Sequence, residues 1–345
     1  MRRLAVIICS LLLTLAAHAQ DASVLLAYVT AESGGPEGFV ITFSIPPASI
    51  TLGTAYAGPA DPAKALYDSG DGVWISYTGN TIPVAGEYVA FKGDWRTASG
   101  TYQNLFYGTF KDTPYSCSFS GSFEHAATAA NAYNSMFRDC NKVVAIHDNP
   151  LPPIIGTPAS YYMFAYACSG MSGVTGSLPE GFMDTSGLTG SPAASMFFSA
   201  CRDMSGVKNL PEGFMDTSGL TGSPAATMFG NACRNMSGVT SLPEGFMDTS
   251  GLTGSPAINM FYGACYNMSG VTNSYVFNIS SNVALTANNV TGPFNNAFEG
   301  MSKWTGTVMW GTNVLFEAIT PAERTRTILN CTQIPGYAGF DANWK

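Results

Sequence analysis

Apolar positions recur with a period of 32 residues across the centre of the chain. The string LPEGFMDTSGLTGSPA occurs three times without change, at 178–193, 210–225 and 242–257. Each copy is followed, two residues later, by MFFSACRDMSGV, MFGNACRNMSGV or MFYGACYNMSGV, in which the Met, Phe, Ala, Cys and Val positions are constant. Self-similarity at a fixed period indicates a repeat architecture, in which each unit buries its apolar side chains against its neighbours.

The cysteines extend this repeat beyond the clean copies, which cover about 160–272. The residues in phase are Cys140, Cys168, Cys201, Cys233, Cys265, Phe298 and Cys331, with Phe298 in the place of a cysteine. Their separations are 28, 33, 32, 32, 33 and 33 residues. The spacing predicts about seven repeats, with degenerate units at both ends that present a different outer face.

Each repeat predicts a short helix followed by a short strand. Ser191 before Pro192 is typical of a helix N-cap followed by a first-turn proline. Apolar residues then follow at spacings of three and four from Met196 to Met204, which describes one face of a helix. Ser205-Gly206 would end that helix, and 207–210 would form the strand. The fold class we expect is an α+β repeat solenoid, a leucine-rich-repeat-type right-handed array with a small N-terminal β-rich domain or cap.

The N-terminal part of the chain has a different pattern. The segments VLLAYV, GFVITFSI, SITLGTAY, GVWISY and EYVAFKGDW are separated by Gly, Pro, Asp and Asn, which is typical of strands joined by turns. We therefore expect a signal peptide over 1–19, a β-rich N-terminal domain or cap over 20–86, and a repeat solenoid over 87–345 with a degenerate C-terminal cap.

The repeat motif resembles that of the BspA-like leucine-rich-repeat surface proteins. The motif M-F-x-x-A-C-x-x-M-x-x-V-x-x-L-P places Cys201, Met204, Val207, Leu210 and Pro211 on the family's conserved positions. Met stands where the family usually has leucine, and two residues rather than one separate Val207 from Leu210. The resemblance covers roughly 115–335. It implies display on the cell surface and adhesion or partner binding without catalysis.

The first twenty residues are typical of an export signal. Arg2 and Arg3 precede an apolar run over 4–15, and Ala17-His18-Ala19 supplies a small-x-small cleavage pattern. That run is too short to span a bilayer, and no later run reaches the length of a transmembrane helix. Cleavage would lower the net charge from −8 to −10. We expect a secreted or cell-surface protein without a membrane-spanning segment in the mature chain, and the negative charge argues against nucleic acid as a partner.

Candidate chemistry is sparse. His125 and His147 are the histidines that cleavage would leave, and neither lies in a nucleophile motif such as G-x-S-x-G. The cysteines lack C-x-x-C spacing, so a buried column of free thiols is favoured over disulfides or a metal, although an exported protein meets oxidants. We therefore predict no catalytic residues, no cofactor and no metal.

Two columns of acidic residues leave one alternative open. Glu180, Glu212 and Glu244 recur in phase, as do Asp184, Asp216 and Asp248. Stacked carboxylates could hold calcium, but solvated turn residues are the favoured interpretation.

The residues that differ between repeats define a candidate binding surface. Lys208-Asn209 becomes Thr240-Ser241 and then Thr272-Asn273, and Arg202-Asp203 becomes Arg234-Asn235 and then Tyr266-Asn267. A constant frame with variable exposed positions is how repeat proteins build extended binding surfaces, although neutral drift explains the same variation. We expect a non-catalytic protein that binds an unknown protein or glycan on a cell surface. A polysaccharide-acting enzyme on a β-solenoid scaffold and a purely structural envelope component are the alternatives.

Overall fold

The computed structural model describes residues 37–152, 154, 156–279, 292–310, 313–318, 321 and 325–345. The expected signal peptide and the expected strand VLLAYV lie outside the described residues. The strands are β1 (Phe39–Phe43), β2 (Ser49–Thr51), β3 (Ala65–Asp68), β4 (Trp74–Ser76), β5 (Thr81–Pro83), β6 (Tyr88–Gly93), β7 (Cys117–Ser120), β8 (Val143–Ile146), β9 (Thr157–Pro158), β10 (Gly176–Ser177), β11 (Leu188–Thr189), β12 (Val207–Asn209), β13 (Val276–Ile279), β14 (Thr307–Trp310) and β15 (Asn313–Val314). Short helical segments follow at α1 (Leu315–Ala318) and at a 3₁₀ turn (Tyr337–Gly339).

The largest sheet has six strands in the order β4-β3-β6-β1-β7-β8. Neighbouring strands are antiparallel except β7 and β8, which are parallel. The rings of Phe39, Phe91, Phe106 and Phe119 pack together on one side of the sheet, and all four are buried. Strands β1, β2, β4 and β6 lie within four of the five segments that the alternation of apolar residues predicted. The sheet takes strands from both sides of residue 86, and the division at that residue stays a prediction.

The prediction of an α+β repeat solenoid of the leucine-rich-repeat type is wrong. Among the described residues the one α-helix is the four-residue α1, and the segments predicted as repeat helices contain none. The remaining sheets are small: β9 with β11 and β10 with β12 are parallel pairs, β2 with β5 is an antiparallel pair, and β13, β14 and β15 form a mixed sheet of three strands. A helix-and-strand unit is therefore not the building block of the repeats that the structure describes.

The segment predicted as a helix is a run of tight turns joined to the next repeat. The Ala200 N–H donates to Phe197 O at 3.1 Å, three residues back, whereas the Cys201 N–H donates to Ala232 O of the next copy at 2.8 Å. This alternation continues along the segment and from copy to copy. Ser199 and Asp203 have left-handed φ values of 53° and 67°. Every second N–H is therefore free to bond outside its own segment, which an α-helix does not allow.

The apolar spacing does not distinguish these turns from a helix. Buried pairs such as Met196-Phe197 and Ala200-Cys201 recur every four residues, and over nine residues a period of four matches the 3.6 of a helix. The intervening Ser, Asn, Asp and Gly residues are the types that accept left-handed backbone and favour turns. This composition favours the turns, although Tyr162, Tyr166 and Thr227 adopt the same left-handed conformation.

The expected burial of the constant apolar residues is confirmed. One phenyl or phenol ring per repeat forms a continuous stack with centroid separations of 5.2–5.4 Å, and its members are Tyr133, Phe164, Phe197, Phe229, Phe261 and Phe294. A second stack joins Phe182, Phe214 and Phe246 at 6.4 and 6.1 Å. Because the rings of neighbouring repeats contact one another, each repeat contributes one face of its neighbour's core.

Candidate functional site

The six candidate residues lie side by side on the protein surface. We call Lys208, Asn209, Thr240, Ser241, Thr272 and Asn273 the polar strip. The Thr240 N–H donates to Lys208 O, and the Thr272 N–H donates to Thr240 O, both at 3.0 Å. Five of the six residues are exposed and Asn273 is half-buried. The structure therefore brings together residues that are 32 positions apart in the sequence.

Buried residues on both sides fix the outward direction of the strip. Val207 and Leu210 are both buried, so the two residues between them turn to solvent. The same order holds for Val239 and Leu242 around the next pair. Val207 and Leu210 therefore both point inward, although two residues separate them.

Hydrogen bonds within the strip leave its residues unequally available. Asn273 is committed to the backbone, since its Nδ2 donates to Leu242 O at 2.9 Å and its Oδ1 accepts from the Leu242 N–H at 3.2 Å. Asn209 Nδ2 donates to Ser177 Oγ at 2.9 Å, which extends the polar row to the preceding repeat. In the part of the chain that the structure describes, Lys208 has no ion-pair partner. The Thr240 and Thr272 hydroxyls donate to Lys208 O and Thr240 O at 3.3 Å, so the Lys208 ammonium and the Ser241 hydroxyl are the groups most available to a ligand.

A second row, of half-buried arginines, lies on the face that carries the tight turns. Sequence reasoning singled out Arg202 and Arg234 of this row and missed Arg138. Arg138, Arg202 and Arg234 occupy matching positions in their repeats, because the Phe137 N–H bonds Ala167 O, the Cys168 N–H bonds Ala200 O and the Cys201 N–H bonds Ala232 O. Ser169 stands at the same position in the repeat between Arg138 and Arg202. The cysteine phase hides this alignment: Arg138 stands two residues before Cys140, whereas Arg202 stands one residue after Cys201. We call these three residues the arginine row.

All seven cysteines of the described chain are buried and unbonded. Burial raises the pKa of Cys140 to about 12, and it also raises the pKa of Cys201 and Cys265. The thiols are therefore protonated and shielded, which is the opposite of what a nucleophile requires. This arrangement supports the free column expected from the sequence.

The cysteine column is shorter than the sequence phase predicted. Backbone pairing aligns Cys168, Cys201, Cys233, Cys265 and Phe298. At the two ends the pairing shifts by three residues, so that Phe137 rather than Cys140 stands opposite Cys168. The displaced thiols of Cys140 and Cys331 donate instead to Phe106 O at 3.0 Å and Phe298 O at 2.8 Å.

The aspartates of the acidic columns have a local role, and the glutamates are exposed. Asp184 Oδ1 accepts from the Ser186 N–H at 3.0 Å, and Asp216 and Asp248 accept in the same way from Ser218 and Ser250 at 2.7 Å. Each carboxylate thus closes its own turn. Within the described ranges no group of three or more His, Cys, Asp or Glu residues is placed to hold a metal ion.

The two histidines do not come together with a nucleophile in the described structure. His125 is exposed, whereas His147 is half-buried and its Nε2 is shielded from water without a hydrogen-bond partner. Desolvation lowers the pKa of His147, which favours the neutral ring. The backbone N–H of His147 donates to Phe119 O at 2.8 Å.

Comparisons with protein-family models, with curated proteins and with solved structures found no match. None of the helices in the described residues has the length and apolar character needed to cross a membrane.

Proposed function

We propose that the protein is exported and binds a macromolecular partner, a protein or a glycan of a cell surface, without catalysing a reaction. One observation carries the proposal. Three successive copies keep their buried apolar residues identical while the pair in the polar strip changes from Lys208-Asn209 to Thr240-Ser241 and Thr272-Asn273. A row of hydroxyl, amide and ammonium groups on a regular frame presents an extended surface rather than a cleft, and extended surfaces suit long partners.

Three further observations support the proposal. The leader over 1–19 has the charge, length and cleavage pattern of an export signal. The resemblance of the repeat motif to BspA-like surface proteins favours display at the cell surface and adhesion. The negative net charge favours partners other than nucleic acid.

The test compares two triple variants of the mature protein. The strip variant carries Lys208→Ala, Thr240→Ala and Thr272→Ala. The control variant carries Glu180→Ala, Glu212→Ala and Glu244→Ala, which change three exposed residues at another position of the same repeats. Labelled protein is incubated with intact bacterial and eukaryotic cells and with an array of immobilised glycans, and the retained fraction is measured after washing.

We expect retention of the wild type and the control variant, and loss of retention in the strip variant. Melting curves that coincide for all three proteins would establish that the changes act on binding alone. Equal retention of the two variants would show that the polar strip is not the binding surface. If the wild type is retained nowhere, the binding proposal is wrong and a structural envelope role takes its place, whereas release of reducing ends from a glycan would support the enzymatic alternative.

A further inference from the structure

The arginine row offers hydrogen-bond donors that the described protein does not use. The Arg138 guanidinium lies between the rings of Tyr107 and Tyr166, with its Cζ 5.4 and 4.5 Å from their centroids. No acceptor or ion-pair partner for this guanidinium exists among the described residues. The two rings hold the planar group in place by cation–π contact while its half-buried side chain keeps an edge at the surface. A guanidinium fixed in this way presents its N–H groups to a carboxylate in a matching planar arrangement.

The other two members of the row repeat this chemistry. Arg234 lies over the ring of Tyr266 at 4.4 Å, and its Nη1 donates to Asn231 Oδ1 at 3.2 Å. Arg202 Nε lies 3.1 Å from Asp203 Oδ2, in an ion pair whose side chains are 42% and 41% exposed. A pair this exposed holds its arginine only weakly, so a ligand can compete for it.

The placement of Arg202 beside Arg234 requires an explanation. Backbone bonds between adjacent repeats put these two cations at matching positions, about 4.8 Å apart along the row of backbones. Like charges at such positions repel each other, and Asp203 neutralises one of the two. An anion held between the guanidinium groups would remove the repulsion, and it would bind both groups at once.

We propose that the arginine row binds an anionic polysaccharide through its carboxylates. This inference goes beyond the proposed function, because it assigns a second surface apart from the polar strip. The arginine row concentrates positive charge locally, although the chain as a whole is negatively charged. Aromatic rings favour a glycan over an acidic peptide: Tyr166 contacts Phe198 of the next repeat at 5.4 Å and 80°, so ring faces and edges lie beside the cations along the row. Sugar rings present C–H faces that pack on aromatic rings, and uronic acid units supply a carboxylate at each step of a linear chain. Repeated sites that meet repeated charges gain affinity by multivalency.

The experiment measures binding of the mature protein to polygalacturonate by titration calorimetry. Fully methyl-esterified polygalacturonate is the uncharged control ligand, and polyglutamate is the control for an acidic peptide. The variants are Arg138→Gln, Arg138→Lys and Tyr166→Leu, with Lys64→Gln as a matched loss of one exposed cation outside the row.

We expect the wild type and Lys64→Gln to bind polygalacturonate equally and to ignore the methyl ester. Arg138→Gln should weaken binding roughly tenfold or more, because charge-assisted hydrogen bonds are lost. Arg138→Lys should recover only part of this loss, since an ammonium cannot form the paired contact of a guanidinium. Tyr166→Leu should also weaken binding, and sodium chloride should weaken it for every variant.

Three outcomes would overturn the inference. The first is that the wild type binds the methyl ester as tightly as polygalacturonate. The second is that it binds polyglutamate as tightly as polygalacturonate or more tightly, and that Tyr166→Leu has no effect. The third is that the wild type does not bind polygalacturonate. If cell-surface retention through the polar strip persists in any of these cases, the proposed function stands and only the assignment of an anionic glycan fails. Should Arg138→Gln lower the melting temperature, Arg234→Lys provides the same comparison at a second member of the row.

Discussion

Removal of one ring from the continuous aromatic stack should destabilise the protein strongly. Phe229 is fully buried, and its ring is nearly parallel to those of Phe197 and Phe261, at 5.3 Å and 3° and at 5.4 Å and 6°. The Phe229 N–H also bonds Met260 O of the next repeat at 2.8 Å, so the backbone there is fixed on both sides. The Phe229→Ala variant therefore leaves a cavity that its neighbours cannot fill by a backbone shift.

The expected cost follows from burial and from the two ring contacts. Replacing a buried phenylalanine by alanine costs about 3–5 kcal/mol in free energy of unfolding. Each aromatic pair contributes roughly 0.5–1.5 kcal/mol beyond the area it buries, and this substitution removes two pairs. We therefore expect a loss in the upper half of that range, about 4–5 kcal/mol. Phe229→Leu should lose less, because it retains most of the volume but neither ring contact.

Urea unfolding followed by tryptophan fluorescence measures this loss. Trp95, Trp304 and Trp344 are fully buried, so their emission reports unfolding. The matched control is Phe198→Ala, next to Phe197 in the preceding repeat. The Phe198 ring is half-buried, so its removal should cost clearly less. Glu212→Ala should change stability by under about 0.5 kcal/mol as an exposed turn residue. If Phe229→Ala costs no more than Phe198→Ala, the stacked rings are not the core of the repeats and this reasoning fails.

Three further predictions concern the turns and the thiols. Thr227→Asn should raise the free energy of unfolding by about 1 kcal/mol in thermal unfolding, because a β-branched residue with a φ of 56° is strained. Asn259 already occupies the matching position of the next repeat. If the variant is no more stable, the left-handed conformation of Thr227 is wrong. Asp216→Ala should lower the free energy of unfolding by about 1 kcal/mol, because the hydrogen bond from the Ser218 N–H is lost. EDTA should leave the melting temperature of the wild type unchanged. A shift with EDTA would support calcium binding by the acidic columns. Burial raises the pKa of Cys140 to about 12 in the folded protein, whereas the pKa in the unfolded chain is about 8.5. As the pH rises, the thiol therefore loses its proton first in the unfolded state. The free energy of unfolding should fall between about pH 8.5 and 12. A Cys140→Ala variant should show a shallower fall in urea titrations across that range, and an identical slope would contradict the burial of this thiol.

The sequence predicted burial and exposure better than backbone conformation. Met196, Phe197 and Cys201 were expected to face a shared core, and they do. Lys208 and Asn209 were expected at the surface, and they are exposed. These predictions succeed because a repeat imposes the same environment on each copy, so apolar and polar positions are sampled several times.

The helix prediction failed because two backbone conformations share one apolar pattern. Pairs of buried residues every four positions suit a run of tight turns as well as a helix, and the Ser-Pro start signal suits both. The informative residues were Ser199 and Asp203 and their counterparts, which recur every fourth position with left-handed φ. Residues of that type disfavour a helix interior, and their regular recurrence was the available signal.

The arginine row could not be found from the repeat phase alone. At Cys140 the pairing of backbones shifts by three residues relative to the cysteine spacing, so Arg138 matches Arg202 only in the folded chain. The partner rings of Arg138 come from the preceding and the following repeat. The number of residues between two cysteines does not reveal a shift of register between their repeats.

Hydrogen bonding restricts which variable positions can serve recognition. The column of Asp203, Asn235 and Asn267 is occupied by its own ladder, in which Asn235 Nδ2 donates to Asp203 Oδ1 at 2.8 Å and Asn267 Nδ2 to Asn235 Oδ1 at 3.3 Å. Ser199 and Asn231, in the adjacent turn, are buried. Variation at these two columns is therefore constrained by the need for left-handed backbone and for internal hydrogen bonds. The constraint is lighter in the polar strip, where the Thr240 and Thr272 hydroxyls reach backbone carbonyls only at 3.3 Å. A change of side chain at these two positions therefore alters the surface and leaves the frame intact.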